Sequence, residues 1–209
     1  MNSLSSPLPG AALAVADFDV DLDRESSAST GTRQADVHIH LAGVPGLLTL
    51  RCDPDANGMG PMIRSTLGLD LPARLSFTAS SQARLRWLSP DEFLFSCPLT
   101  ALADVSARLA QSATAGLACS DVSGGFALLE LSGPAARTVL AKSTSLDVHP
   151  RVFPPSRTAS TIFAKATATI SHLDTGKYEL IVRRSFARYM AGWLSEAARE
   201  HGLRVTTAR

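Results

Sequence analysis

The sequence predicts an α+β fold in which one β-α-β-β-α unit is used twice, giving antiparallel-rich sheets backed by helices. Three observations lead there. The predicted elements occur in the same order in both halves of the chain. Equivalent elements also keep a near-constant spacing: Phe93 and Tyr178, each in the last strand of its half, are 85 positions apart (178 − 93). The helix starts that follow them, Leu99 and Ser185, are 86 apart (185 − 99). Finally, 209 residues at 45% apolar content supply a sizeable core, yet no apolar run nears the ~20 residues of a membrane span.

Residues 1–35 stand apart from this pattern and are expected to form a flexible N-terminal tail. They hold Ser, Pro and Ala, the alternation DFDVDLD and the polar run RESSASTGTRQ, too little apolar surface to offset the entropy of ordering. Asp17, Asp19, Asp21 and Asp23 suggest a calcium loop. The sixth and twelfth positions counted from Asp17, where such a loop needs Gly and Glu, hold Leu22 and Ala28. The calcium reading fails.

The first half is assigned to 36–116 and the second to 117–209. In the first, VPGLLTLRC (44–52) reads as a strand and GPMIRSTLGL (60–69) as a short helix. ARLRWL and DEFLFSC (83–88, 91–97) make a hairpin across Ser89-Pro90, and 99–113 has the periodicity of an amphipathic helix. In the second, FALLELS (126–132) is a strand and PAARTVLAK (134–142) a helix with proline in its first turn. ATATISHL and YELIVRR (166–173, 178–184) pair across Asp174-Thr175-Gly176. SFARYMAGWLSEAAREHG (185–202) closes the chain as a helix. Ser185 is its cap, Gly202 its stop, and Phe186, Tyr189 or Met190, Trp193, Leu194 and Ala197 form one apolar face.

Composition narrows the function classes. Lys and Arg (20) nearly balance Asp and Glu (19) for a net charge of +1, so no broad nucleic-acid or anionic-membrane footprint exists. Cys52, Cys97 and Cys119 are odd in number and lack C-x-x-C spacing, which fits small buried residues in a reducing cytoplasm. No basic leader precedes an apolar segment at the N-terminus, and a cytoplasmic location is expected.

Candidate chemistry is sparse. His38 and His40 would share one strand face but have no third ligand at metal spacing, so an exposed strand face is the expectation. Gly58-Met59-Gly60 is half a dinucleotide fingerprint, with Ile63 at the third glycine position, and reads as a tight turn. No G-x-S-x-G elbow occurs. Asp147 and His149, with Lys142 and Arg151 nearby, look like an active site, but no third partner lies in reach and backbone service in a proline-rich turn is expected. Arg183, Arg184 and Arg188, with Arg151 and Arg157, suit a carboxylate, a phosphate or an acidic patch on a partner. No catalytic, cofactor-binding or metal-binding residue is assigned. The pattern is that of a scaffold or a partner-bound subunit.

Ser120–Pro155, SDVSGGFALLELSGPAARTVLAKSTSLDVHPRVFPP, resembles the gamma subunit of heterotetrameric sarcosine oxidase, and KYELIVRRSFARYMAGWLSEAAREHG fits the same family. The likeness is strong over 119–202, weaker over 37–118 and absent from the first 35 residues. Ser143-Thr144 departs from a Gly-Cys pair common there. D-x-S, a strand, a G-P-x-A helix and the S-x-D-V ending also resemble the opening module of the glycine-cleavage T-protein. The resemblance implies a T-protein-like fold and a non-catalytic subunit, partnered by alpha, beta and delta subunits, in a complex that demethylates sarcosine to glycine. It implies hydrogen peroxide as a product, with the one-carbon unit leaving as formaldehyde or on tetrahydrofolate. It places FAD, FMN and NAD in the larger subunits and zinc in delta, and no cofactor in this chain. Arg183, Arg184, Arg188, His149, Arg151 and Phe153 are then the expected subunit contacts. Two alternatives stay open: a free-standing tetrahydrofolate-binding module, or the same subunit in a complex acting on another N-methyl amino acid.

Overall fold

The computed structural model describes residues 35–112 and 116–207. Nearly all of the expected tail, with its aspartate alternation, lies outside those residues. The first half contributes strands β1 (Val37–Leu41), β2 (Pro45–Arg51), β3 (Phe77–Ala79), β4 (Arg84–Ser89) and β5 (Glu92–Pro98), with helices α1 (Met59–Leu67) and α2 (Leu102–Ser112). The second contributes β6 (Ala118–Asp121), β7 (Phe126–Ser132), α3 (Ala136–Ser143), β8 (Thr158–Phe163), β9 (Ala166–Asp174), β10 (Lys177–Arg183), α4 (Ala187–Ala198) and β11 (Leu203–Thr207). The α+β class and the duplicated unit are as the sequence predicts. Each unit carries further strands: β3 or β8 at a sheet edge and β1 or β6 ahead of the first predicted strand, with β11 closing the second half.

The duplication is explicit in the sheets. One runs β3-β4-β5-β2-β6 and the other β8-β9-β10-β7-β1-β11, so the first four strands match one for one. Leu48 opposite Phe95 in one sheet is matched by Leu129 opposite Leu180 in the other. Each α-helix after β5 and β10 is preceded by a 3₁₀ turn, Leu99–Ala101 and Arg184–Phe186. Among the described residues all strand pairings are antiparallel except β1 with β11.

The two sheets do not divide at residue 116. β1 precedes β2 in the chain but pairs with β7, from His38 opposite Ser132 to Leu41 opposite Leu129. β6 precedes β7 but pairs with β2, from Leu48 opposite Asp121 to Arg51 opposite Ala118. Each half therefore lends its first strand to the other's sheet. Without the loan, β2 or β7 becomes an unpaired edge beside its core. Fragments 36–116 and 117–209, made separately, are accordingly expected to melt without a cooperative transition and to regain one when mixed. Two independent cooperative melts would overturn this.

Alternation along the strands sorts the core into three layers. One apolar cluster lies between the β7-centred sheet and α3 and α4, where Leu129, Leu131, Leu180 and Val182 meet Val139, Leu140, Met190 and Leu194. A second joins Leu48, Leu50, Phe93 and Phe95 to Ile63 of α1 and to Val105 and Leu109 of α2. The third takes the opposite strand faces, Leu47 and Leu94 from one sheet with Leu128 and Ile181 from the other. The sheets thus pack face to face with helices outside. Two charged residues share that inner layer: Arg86 of β4 and Glu179 of β10, 0% and 1% exposed at their side chains, are joined as an ion pair. Glu179 also accepts from Arg84 at 3.2 Å, and Arg86 donates to the Ser96 hydroxyl at 3.0 Å.

The Ser132-Gly133-Pro134 turn shows why glycine stands there. Gly133 has φ +113°, and a Cβ on it would lie 2.4 Å from the Asp36 carbonyl oxygen, where the chain enters β1. No side chain caps α3; the Gly133 carbonyl accepts from the Ala136 amide at 3.1 Å.

Candidate functional site

The β10–α4 junction carries three of the four expected contact arginines, Arg183, Arg184 and Arg188. β10 ends at exposed Arg183, a 3₁₀ turn carries Arg184 to Phe186, and α4 follows. Ser185 makes no capping hydrogen bond to α4; the turn takes the place of a side-chain cap. The apolar face of α4 differs from the expected one. Ala187, Met190, Ala191, Leu194, Ser195 and Ala198 are buried against the sheet. Phe186, Tyr189 and Trp193, spaced three and four apart, lie on the outer side and are exposed. The helix carries two stripes, which a single periodicity had merged. Trp193 is fixed by its indole N–H, which donates to the Ser143 hydroxyl at 3.1 Å. The Arg183 guanidinium carbon sits 5.5 Å from the Phe126 ring centroid, within cation–π range.

The Asp-Val-His-Pro stretch serves its own turn. Asp147 Oδ1 accepts from the His149 amide at 2.9 Å, and His149 Nδ1 accepts from the Arg151 amide at 3.2 Å. The His149 carbonyl accepts from the Val152 and Phe153 amides at 2.9 and 2.8 Å. The two side chains thus hold backbone groups in place. Lys142 is engaged elsewhere, in an ion pair with Glu200 and a 3.2 Å bond to the Ala197 carbonyl.

Phe153 does not belong to a contact surface. It is 4% exposed, packs into the cluster beneath α3 and α4, and lies 6.1 Å from the His172 ring. Its neighbour Val152 is the exposed apolar residue of this segment. His149 and Arg151 are exposed, but the structure separates them from the arginine junction. Arg183 lies opposite Phe126 at one end of β7, whereas the turn at Gly133 and Pro134, against which Pro150 and Pro155 close, is at the other. Six strand steps put about 20 Å between those ends. The residues expected as contacts therefore fall in two separate places on the fold.

The remaining candidates resolve as structural groups. His38 Nε2 lies 3.1 Å from the Ala35 carbonyl and His40 Nδ1 lies 3.1 Å from the Thr206 hydroxyl. Among the described residues no group of three or more His, Cys, Asp and Glu is placed to hold a metal ion. Gly58, at φ +85°, opens α1 in a turn. Arg157 donates to the Arg74 carbonyl at 3.4 Å. Cys52 and Cys97 are buried, but Cys119 is exposed on edge strand β6, contrary to expectation. Burial, first of all, pushes the Cys52 and Cys97 thiols above the usual cysteine range.

Comparison with known proteins decides the family. Residues 51–200 match the Sarcosine oxidase, gamma subunit family, well over half of the chain. The chain belongs to that family. It is 32% identical over 158 residues to sarcosine oxidase subunit gamma of Corynebacterium sp. (strain P-1), covering 72% of this chain and 74% of the relative. It is 33% identical over 157 residues to the subunit of Corynebacterium sp. (strain U-96), covering 73% and 75%. A chain of the heterotetrameric sarcosine oxidase from Corynebacterium sp. U-96 superposes with a TM-score of 0.77 at 26% identity, over 88% of this chain and 95% of that one. Aminomethyltransferase T of the Bartonella henselae glycine cleavage system superposes at 0.61 with 14% identity, over 88% of this chain and half of the other. That second likeness establishes the T-protein-like fold of this gamma-family chain.

The residues that sequence reasoning missed are the outward Tyr189, together with His172 and the Arg86–Glu179 pair. Two interleaved apolar stripes were legible in SFARYMAGWLSEAA. The other three needed the fold, because each sits in an ordinary alternating strand.

Proposed function

We propose that this chain is the non-catalytic gamma subunit of a heterotetrameric sarcosine oxidase, acting in assembly with alpha, beta and delta subunits. The supporting observation is the match of most of its length to a chain of such a complex, together with the use of Asp147 and His149 on backbone amides. Oxidative demethylation of sarcosine, and the FAD, FMN, NAD, tetrahydrofolate and zinc it uses, reside in the other subunits. The contact surface is the junction of Arg183, Arg184 and Arg188 with the outer aromatic stripe of α4. Trp, Tyr and Arg are the residue types that most often anchor protein interfaces.

Co-expression with and without this chain tests the reading. Omission is expected to reduce recovery of the assembled complex, and the isolated chain is expected to leave sarcosine unoxidised. Full assembly and turnover without it, or turnover by the isolated chain, would overturn the proposal. Tetrahydrofolate binding by the isolated chain, absent any effect on assembly, would favour a folate-binding module.

A further inference from the structure

The two motif segments, Ser-Gly-Pro-Ala-Ala-Arg and His-Pro-Arg-Val-Phe-Pro-Pro, converge on one cavity of about 370 Å³. Pro134, Arg137, Pro150 and Pro155 contribute to its walls, with His172 of β9 and Tyr178 of β10. We propose that this cavity binds a small carboxylate that carries a neutral hydrogen-bond donor, such as a hydroxyl group.

The argument begins with His172, which is 2% exposed. Its ring lies between Tyr178, centroids 4.6 Å apart, and Phe153, 6.1 Å apart, and is nearly parallel to both. Nδ1 lies 2.6 Å from the Phe153 carbonyl oxygen. A carbonyl only accepts, so Nδ1 carries the proton, and in that tautomer Nε2 presents a lone pair. That Nε2 is buried and has no partner among the described residues. A buried acceptor left unmet costs about 1–3 kcal/mol, and a donor brought by a ligand removes the cost. Stacking on Tyr178 and Phe153 sets the plane of the ring, and His172 is one of the residues that line the cavity.

Arg137 supplies the opposite requirement. It is exposed and is the one charged side chain among the cavity's lining residues, while Asp147 shares with it the neighbouring hollow beside α3. An anion is favoured there, and a carboxylate matches the guanidinium fork. Burial pushes the Tyr178 phenol up, against the nearby Arg137 charge, so its hydroxyl stays protonated and can donate as well. An ammonium group is disfavoured, because no acid lines the cavity to pair with it. The donor facing His172 is therefore a neutral one. Three proline rings leave room for a small apolar body between the two ends.

Lactate and mandelate are the probes, with propionate and phenylacetate as matched carboxylates that lack the hydroxyl. Binding to the full chain is followed by NMR of ring-labelled histidine, and binding to the assembled complex by calorimetry of wild type against Arg137→Gln. The hydroxy acids are expected to bind with a dissociation constant below about 1 mM and to shift the His172 Nε2 resonance. Arg137→Gln is expected to weaken binding at least about ten-fold while leaving the thermal melt and assembly unchanged. His172→Phe, which keeps the ring stack without the acceptor, should remove the preference for hydroxy over plain acids. An unmoved His172 resonance at about 20 mM probe would overturn the site. So would equal binding of propionate, or a site seen in the free chain but lost on assembly, which would give the cavity to a partner subunit. Assembly is read separately, so these failures are distinct from failure of the subunit role.

Discussion

Replacing Glu179 with glutamine is expected to cost about 3–5 kcal/mol of folding stability, which for a chain of this size lowers the melting temperature by roughly 10 °C. The carboxylate is 1% exposed and faces a guanidinium that is 0% exposed, so neither charge has water to turn to. Burial lowers the Arg86 guanidinium from its ordinary value, and Glu179 is the main influence pulling it back. Glutamine keeps the shape and removes that influence, leaving Arg86 as an uncompensated buried cation. Replacing both partners, Arg86→Met with Glu179→Leu, is expected to recover most of the loss, because the pair also carries a desolvation penalty that an apolar pair lacks. Thermal and denaturant melts of the two single variants and the double variant form a cycle that isolates the coupling. A single glutamine variant within about 1 kcal/mol of wild type would show that the pair contributes little.

The pair also bears on how the sheets find each other. Arg86 belongs to one half and Glu179 to the other, and the apolar part of the layer between them is small, with Leu47, Leu94, Leu128 and Ile181 its buried members. Leucine against leucine tolerates sliding; a charge pair does not. Any other placement of the sheets would leave a buried charge unpaired, so the pair specifies the mutual position of the halves.

Much of the fold was legible because it is local. The strand at 126–132 was read with its observed bounds, and the matched hairpins and helices were recovered to within a few residues, since alternation and helical spacing are written in each segment. The partner of a strand is not written there. VHIHL announces a strand with one buried face, yet nothing in those five residues says that it crosses to β7 rather than lying beside β2. The same holds for Arg84 and Arg86. In ARLRWL the arginines alternate with apolar residues, a pattern that also suits the solvated face of a sheet with one covered side, and nothing in it announces the second sheet that covers that face here. Phe153 failed as a surface residue for a related reason: Val152 and Phe153 are adjacent, and which one turns inward is set by the His149 carbonyl closing the turn.

Tyr189→Ala is expected to weaken docking of this chain in the complex by about 2 kcal/mol, roughly thirty-fold, while leaving its own melt nearly unchanged. Tyr189 faces outward with Phe186 and Trp193, so truncating it removes contact area for a partner and little from the core. Trp193 is the poorer test, since its indole is bonded to Ser143 and its loss would disturb the packing of α3 on α4. Charge argues for the nature of the partner surface. From Arg183 to Ser195 the chain carries three arginines and no acid, so the opposing surface should be apolar at its centre and acidic at its rim. Arg184→Glu is therefore expected to slow association and to reduce its sensitivity to salt, whereas Tyr189→Ala should act on dissociation and be indifferent to salt. Co-purification yield and association kinetics at two ionic strengths separate the two effects. If both variants assemble as wild type does, and Val152→Ala or His149→Ala does not, the docking face is instead the proline-rich turn at the far end of β7.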